Sequence, residues 1–164
     1  GRKTLDLLIA QYEDLRVQRL NMMKELRALS KTERFAEPLR LLMTVPGIGQ
    51  VSGLTILSEI DDIARFKDAS HLASYVGIVP MCYSSGEHDG TGNLTVRRHA
   101  QLRWLIVESA WIAVRKDPVL SAAYVEYCRK MKPSKAIIKV ARRIINRIYF
   151  VMKHQHPYVN CFVS

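Results

Sequence analysis

Cysteine is scarce in this chain of 164 residues: Cys82, Cys128 and Cys161 are widely spaced, odd in number and form no Cys-x-x-Cys pair. That excludes a disulfide scaffold or a zinc ribbon and makes a reducing cytoplasm the simplest setting. Long apolar runs are also missing. Stretches such as Leu54-Thr55-Ile56-Leu57 fall far below a membrane span, so no membrane partner is expected. No apolar core follows Gly1-Arg2-Lys3-Thr4, which argues against a signal peptide there. Gly1 in place of Met reads as a cut, with functional parts expected upstream. Low-complexity tracts and internal repeats are absent as well.

Acidic residues are scarce in one half only. Up to Thr95 there are 11 Lys and Arg against 12 Asp and Glu; from Val96 onward there are 14 against 3. The formal net charge of +10 therefore resides in the second half. Such segregation is the electrostatic footprint of a polyanion-binding face, and nucleic acid is the expected partner ahead of plain solubility charge.

What is present is mostly helical pattern, supported by a hydrophobic content of 48%, enough for a real core. From Thr4 to Ser30 no proline or glycine intervenes. Leu5, Leu8, Tyr12, Leu15, Arg19, Met22, Leu26 and Leu29 recur in alternating steps of three and four, the a/d pattern of a coiled coil with Arg19 as a polar break. The same stripe could dock on the chain's own core; self-association is preferred, because the segment precedes the domain. A second helix is expected to open at Glu37-Pro38, a third to span about Gln50 to Ile60, and a fourth to end at Gly77 as a C-cap. Pro80 to Thr95, rich in Gly, Ser and Asp, reads as an irregular loop or short hairpin. Helices resume from Arg97 to Lys116, Val119 to Lys130 and Ser134 to His154. The last has an apolar stripe of Ile137, Ala141, Ile144, Ile145, Ile148 and Met152 against a basic remainder. The expected fold is mainly α: a coiled-coil helix over 1–35, a compact helical domain over 36–158 and a tail over 159–164.

Two constellations carry chemistry. Val45-Pro46-Gly47-Ile48-Gly49, between apolar helices, resembles a helix-hairpin-helix turn. Gly47 and Gly49 would let the backbone approach a phosphate, and the next helix start would favour the anion. The alternative is a turn that only packs two helices. The second is Tyr83-Ser84-Ser85-Gly86-Glu87-His88-Asp89-Gly90-Thr91-Gly92, where a serine beside glycine precedes a basic helix. A serine nucleophile needs proton removal and charge stabilisation. Arg97, Arg98 and Arg103 could neutralise a phosphodiester, and Lys139, Arg142, Arg143 and Arg147 extend the basic face. His88 and His99 flank the loop as possible proton acceptors. Glu59, Asp61 and Asp62 read as a solvated turn, so no metal site is expected. Trp104 and Trp111, seven residues apart, read as core.

The landmarks run in a specific order. Leu42-Met43-Thr44-Val45-Pro46-Gly47-Ile48-Gly49 comes first, then Phe66, then Ala73-Ser74-Tyr75-Val76-Gly77-Ile78-Val79-Pro80. Tyr83-Ser84-Ser85-Gly86, Gly92-Asn93-Leu94-Thr95, Leu102-Arg103 and Val107-Glu108-Ser109-Ala110 follow. From about Leu39 to Tyr158 this resembles the C-terminal domain of insertion-sequence transposases of the IS-one-ten class, also called one-sixteen and nine-oh-two. The resemblance implies a bacterial, cytoplasmic DNA recombinase that uses a structured guide RNA from its element. It also implies an N-terminal RNase H-like domain with four acidic residues, expected to hold divalent metal (Mg) and absent from this chain. No cofactor is expected in the chain itself. By the same resemblance Ser85, directly before the supporting Gly86, is the nucleophile joined to DNA, and the heptads form a coiled coil giving a homo-oligomer. One departure is that Arg98 stands where the family usually has glycine. The alternative is a non-catalytic, helix-hairpin-helix-type nucleic-acid-binding and oligomerisation module.

Overall fold

The computed structural model describes residues 1–85, 88–94 and 99–159, and among them the fold is mainly α. The chain divides into two compact units, Gly1–Glu37 and Pro38–Ser164.

The first unit is dominated by helix α1 (Arg2–Leu29), which ends where Ser30 Oγ donates to the Arg27 carbonyl at 2.8 Å. No residue of α1 is buried. Leu5, Leu8, Tyr12, Leu15 and Met22 of its apolar stripe are each more than half exposed. Helix α2 (Glu33–Leu42) begins four residues ahead of the expected opening at Glu37-Pro38 and carries Pro38 inside. The Thr32 carbonyl, accepting from the amides of Phe35 and Ala36, starts the helix early. Pro38 then removes one amide from the ladder without ending it.

In the second unit Leu39, Leu41 and Leu42 are buried, and a turn leads into α3 (Gln50–Ile60), which has the expected limits. After a 3-10 turn (Ile63–Arg65), α4 (Ala69–Val76) is capped by Asp68, whose carboxylate accepts from the amides of Ser70 and His71. Those bonds, the His71 amide foremost, hold the Asp68 carboxyl below its usual pKa. Gly77 ends α4 with φ 80°, the left-handed C-cap its sequence position suggested.

Strands β1 (Pro80–Ser85) and β2 (His88–Leu94) form an antiparallel hairpin, the second of the two conformations expected for this stretch. The register pairs Ser85 with His88 and Tyr83 with Gly90, and shifts between Pro80 and Cys82. Three helices complete the unit: α5 (Ala100–Lys116), α6 (Pro118–Lys130) and α7 (Pro133–His154). Proline at the first position of α6 and of α7 supplies a preset φ where an amide donor is not needed.

Helix α7 is the centre of the core and packs against α4, α5 and α6. Ala136, Ile137, Val140, Ala141, Ile144, Ile145, Ile148, Val151 and Met152 are buried along one side. Each buried isoleucine contributes about 1.5–3 kcal/mol of transfer free energy. The inward face of α5 is narrower: Leu102, Ile106, Ser109, Ala110 and Ala113. Here the structure overturns one expectation. Trp104 and Trp111 are not core; they are 65% and 36% exposed. The later inner positions of α5, Ser109, Ala110 and Ala113, are small because a backbone turn presses against the helix there.

Candidate functional site

That turn is the Val45–Gly49 stretch. Gly47 has φ 89°, and a Cβ there would run into the carbonyl oxygen of Ser109 and lie 3.2 Å from the amide nitrogen of Ala113. Both reasons demand glycine. The close approach at Gly47 is thus made to helix α5, the packing alternative for this motif. Gly49 is different: it is exposed, it stands at the N-cap of α3, and its amide donates to Ser52 Oγ at 2.8 Å. Buried Val45 and Ile48 anchor the turn from inside.

Ser85 closes β1, with His88 its cross-strand partner across residues 86 and 87. Gly86, Arg97 and Arg98 lie outside the described residues. His99, by contrast, is well placed and fully engaged. Its Nδ1 accepts from the Leu102 amide at 3.4 Å, capping α5, and its Nε2 lies 2.8 Å from Glu59 Oε2. With Nδ1 an acceptor, Nε2 carries the proton and donates to Glu59. Tyr75 reinforces the clamp: its ring lies 5.8 Å from the His99 ring and its hydroxyl donates to the Glu59 carbonyl. His99 is therefore a structural tie between the end of α3 and the start of α5, with neither ring nitrogen left to take a proton from serine. Asp62 caps the 3-10 turn and Asp61 ends α3 with φ 57°.

The basic residues separate into two groups. At the corner joining α6 and α7, the cations Arg129, Lys130, Lys132, Lys135, Lys139 and Arg143 are all exposed. Tyr127 sits under two of them: Lys139 Nζ is 5.2 Å and Arg143 Cζ 5.5 Å from its ring centroid, and Arg143 Nε donates to the Tyr127 hydroxyl at 3.1 Å. Glu126 is bridged by both Arg129 and Lys130. Arg142 reaches the other way and donates to Ser70 Oγ on α4. No spacing rule singles out Tyr127, because its position under α7 is a tertiary contact.

Arg147 is structural in its surroundings. Its side chain is 14% exposed and meets Asp117, which is fully buried, at 2.7 Å. Its guanidinium also stacks on Tyr158 at 4.3 Å. The same aspartate accepts from the amides of Val119 and Leu120 as the N-cap of α6. The Tyr158 amide in turn donates to Thr44 Oγ1, which fastens the segment after α7 to the end of α2. Arg103 is likewise engaged within the fold, with Nη1 out of solvent.

Among the described residues no group of three His, Cys, Asp or Glu is arranged to hold a metal, and no helix is long and apolar enough to cross a membrane.

The comparisons with known proteins agree on one family. The chain is 29% identical over 134 residues to the insertion element IS116 uncharacterized 44.8 kDa protein of Streptomyces clavuligerus, covering 79% of this chain and 32% of that protein. It is 27% identical over 92 residues to the transposase for insertion sequence element IS1111A of Coxiella burnetii, covering 56% and 24%. It is 28% identical over 121 residues to the pilin gene-inverting protein of Moraxella bovis, covering 72% and 38%. The chain thus spans about a third or less of the length of the first two relatives. The model of the transposase IS116/IS110/IS902 family matches residues 39–125, a span that holds the Gly47 turn, the hairpin serine and helix α5, and the chain belongs to that family.

Proposed function

We propose that this chain is the DNA-handling, serine-bearing part of a transposase that performs DNA transposition or site-specific recombination. The match to the transposase family over 39–125 carries the reading. Inversion of a gene segment, in the name of the Moraxella relative, is a recombination outcome of the same class. Ser85 is assigned as the nucleophile. Attack by its oxygen on a DNA phosphorus forms the Oγ–P ester, releases a deoxyribose oxygen and retains the strand on the protein. The acidic, Mg-binding RNase H-like domain expected by resemblance belongs to the remaining length of the full enzyme. The element's guide RNA, expected on the same ground, is a second nucleic-acid partner.

The corner of α6 and α7 is the phosphate-binding face in this proposal. Its six exposed cations surround one bridged carboxylate, and the N-terminus of α7 adds its own partial positive charge. Replacing Lys135, Lys139 and Arg143 together with alanine should reduce the slope of log affinity against log salt for duplex DNA by about 2.7, the value for three lost phosphate contacts. Thermal stability should barely change, since all three side chains are exposed. An unchanged slope places the DNA elsewhere. Arg147 is left out of this face because Asp117 and Tyr158 already occupy it.

Helix α1 is assigned to self-association. A helix whose apolar stripe is exposed gains stability by burying that stripe, and pairing with a copy of itself does so. The intact chain should sediment as a dimer or larger, and removal of residues 1–30 should give a folded monomer. A monomer at high micromolar concentration for the intact chain overturns the assignment.

A further inference from the structure

The outward side of α5 carries two indoles that the core does not use. Trp104 is 65% exposed and Trp111 36%. They lie two turns apart, about 10.5 Å along the helix axis, and so face the same way. Trp111 is braced: its ring meets Tyr124 edge-on at 5.7 Å, and Arg115 Nε donates to its carbonyl. Both are flat apolar surfaces open to solvent, and Tyr124 holds the Trp111 ring in place.

The charge around them narrows the partner. Beyond Val96 the acidic residues are Glu108, Asp117 and Glu126. Asp117 is buried against Arg147, and Glu126 is bridged by Arg129 and Lys130. Exposed Arg115 and Lys116 follow one turn beyond Trp111. Glu108, on the turn between the indoles, disfavours a phosphate there and leaves that space to uncharged groups. A fitting partner is anionic overall yet presents flat apolar faces. Duplex DNA hides its base faces in the stack; a single strand offers them and brings its phosphates to the flanking cations.

We propose that Trp104 and Trp111 are stacking platforms for unpaired bases, which makes the outward face of α5 a single-strand binding surface distinct from the phosphate face at the α6–α7 corner. The proposal rests on the nucleic-acid reading above and adds the form of nucleic acid that α5 takes.

The test uses the chain as it stands with two probes at low salt: an oligodeoxythymidylate of about 20 nucleotides, longer than one stacking module covers, and a duplex of equal length. The single strand should quench the tryptophan fluorescence. Trp104→Ala should lower single-strand affinity about tenfold or more while duplex affinity stays within about twofold. Trp104→Phe, which keeps a ring, should retain most of the single-strand affinity and controls for folding. Single-strand binding by Trp104→Ala equal to the parent's overturns the platform but leaves the basic corner standing. Loss of an oligomer in Trp104→Ala, with strand affinity kept, overturns it in favour of a protein interface. A parent chain that binds neither probe overturns the basic face and the platform together.

Discussion

Ser85→Ala in the full-length enzyme, supplied with the proposed guide RNA, is expected to abolish strand exchange and the covalent protein–DNA adduct, while DNA binding persists. The expected loss is roughly a thousandfold or more, the scale set by removing a nucleophile. A serine hydroxyl is almost wholly protonated at neutral pH, so its attack requires a partner that takes the proton. His99 does not fill that role, since Leu102 and Glu59 engage both of its ring nitrogens. Within the chain His88, across the hairpin from Ser85, is the remaining candidate, and the acidic domain expected by resemblance is the proposed partner outside it. With the acidic domain as that partner, the isolated chain is expected to bind DNA without cleaving it. Ser84→Ala should be much milder, because one hydroxyl alone can stand in line at the phosphorus. Full recombination by Ser85→Ala rejects the assignment, and an adduct that disappears with Ser84→Ala moves it by one residue. Loss of chemistry with binding kept also separates a recombinase from a plain binding module.

The largest stability effect is expected at Asp117. This carboxylate is fully buried, pairs with Arg147 and caps α6. Breaking a buried pair from one side costs about 3–5 kcal/mol, because the remaining charge stays desolvated. Asp117→Asn keeps an N-cap acceptor but strands the guanidinium, and should lower the melting temperature by roughly 10 °C. Adding Arg147→Met removes the stranded charge and should recover much of the loss, since apolar replacements of buried ion pairs are often neutral. Thermal melts of the two variants decide it: a loss under about 1 kcal/mol in Asp117→Asn, or no recovery in the double variant, shows that the pair does not hold this corner.

What could be read from the sequence was local. Helix α3, the Gly77 cap and the buried stripe of α7 all follow from spacing and terminal residues, and the structure keeps them. The outward turn of Trp104 and Trp111 was not readable. Both sides of α5 carry apolar residues, and which side faces inward is decided by the Gly47 backbone pressed against Ser109. The same holds for Arg147, which shares a helix with Lys139 and Arg143 yet points at a carboxylate 30 positions upstream. The hairpin was ambiguous because Gly90 and Gly92 interrupt strand alternation. The early start of α2 is not legible in the sequence, because Pro38 reads as a first residue rather than an interior one. Of the candidate site, the proposed nucleophile Ser85 comes from motif order alone, whereas Tyr127 and the Glu59–His99 clamp depend on residues distant in the chain.

The position of α7 in the chain has a consequence for how the protein is made. Helix α7, which has the most buried residues among the described helices, is synthesised after the 3-10 turn, α4, α5 and α6, all of which pack on it. Until Pro133–His154 leaves the ribosome, α5 can meet α3, α4 and α6, but the helix on which α4, α5 and α6 all pack is missing. The nascent chain is therefore expected to present an apolar surface of the kind chaperones hold until α7 covers it, since the α5 contacts alone do not complete the core.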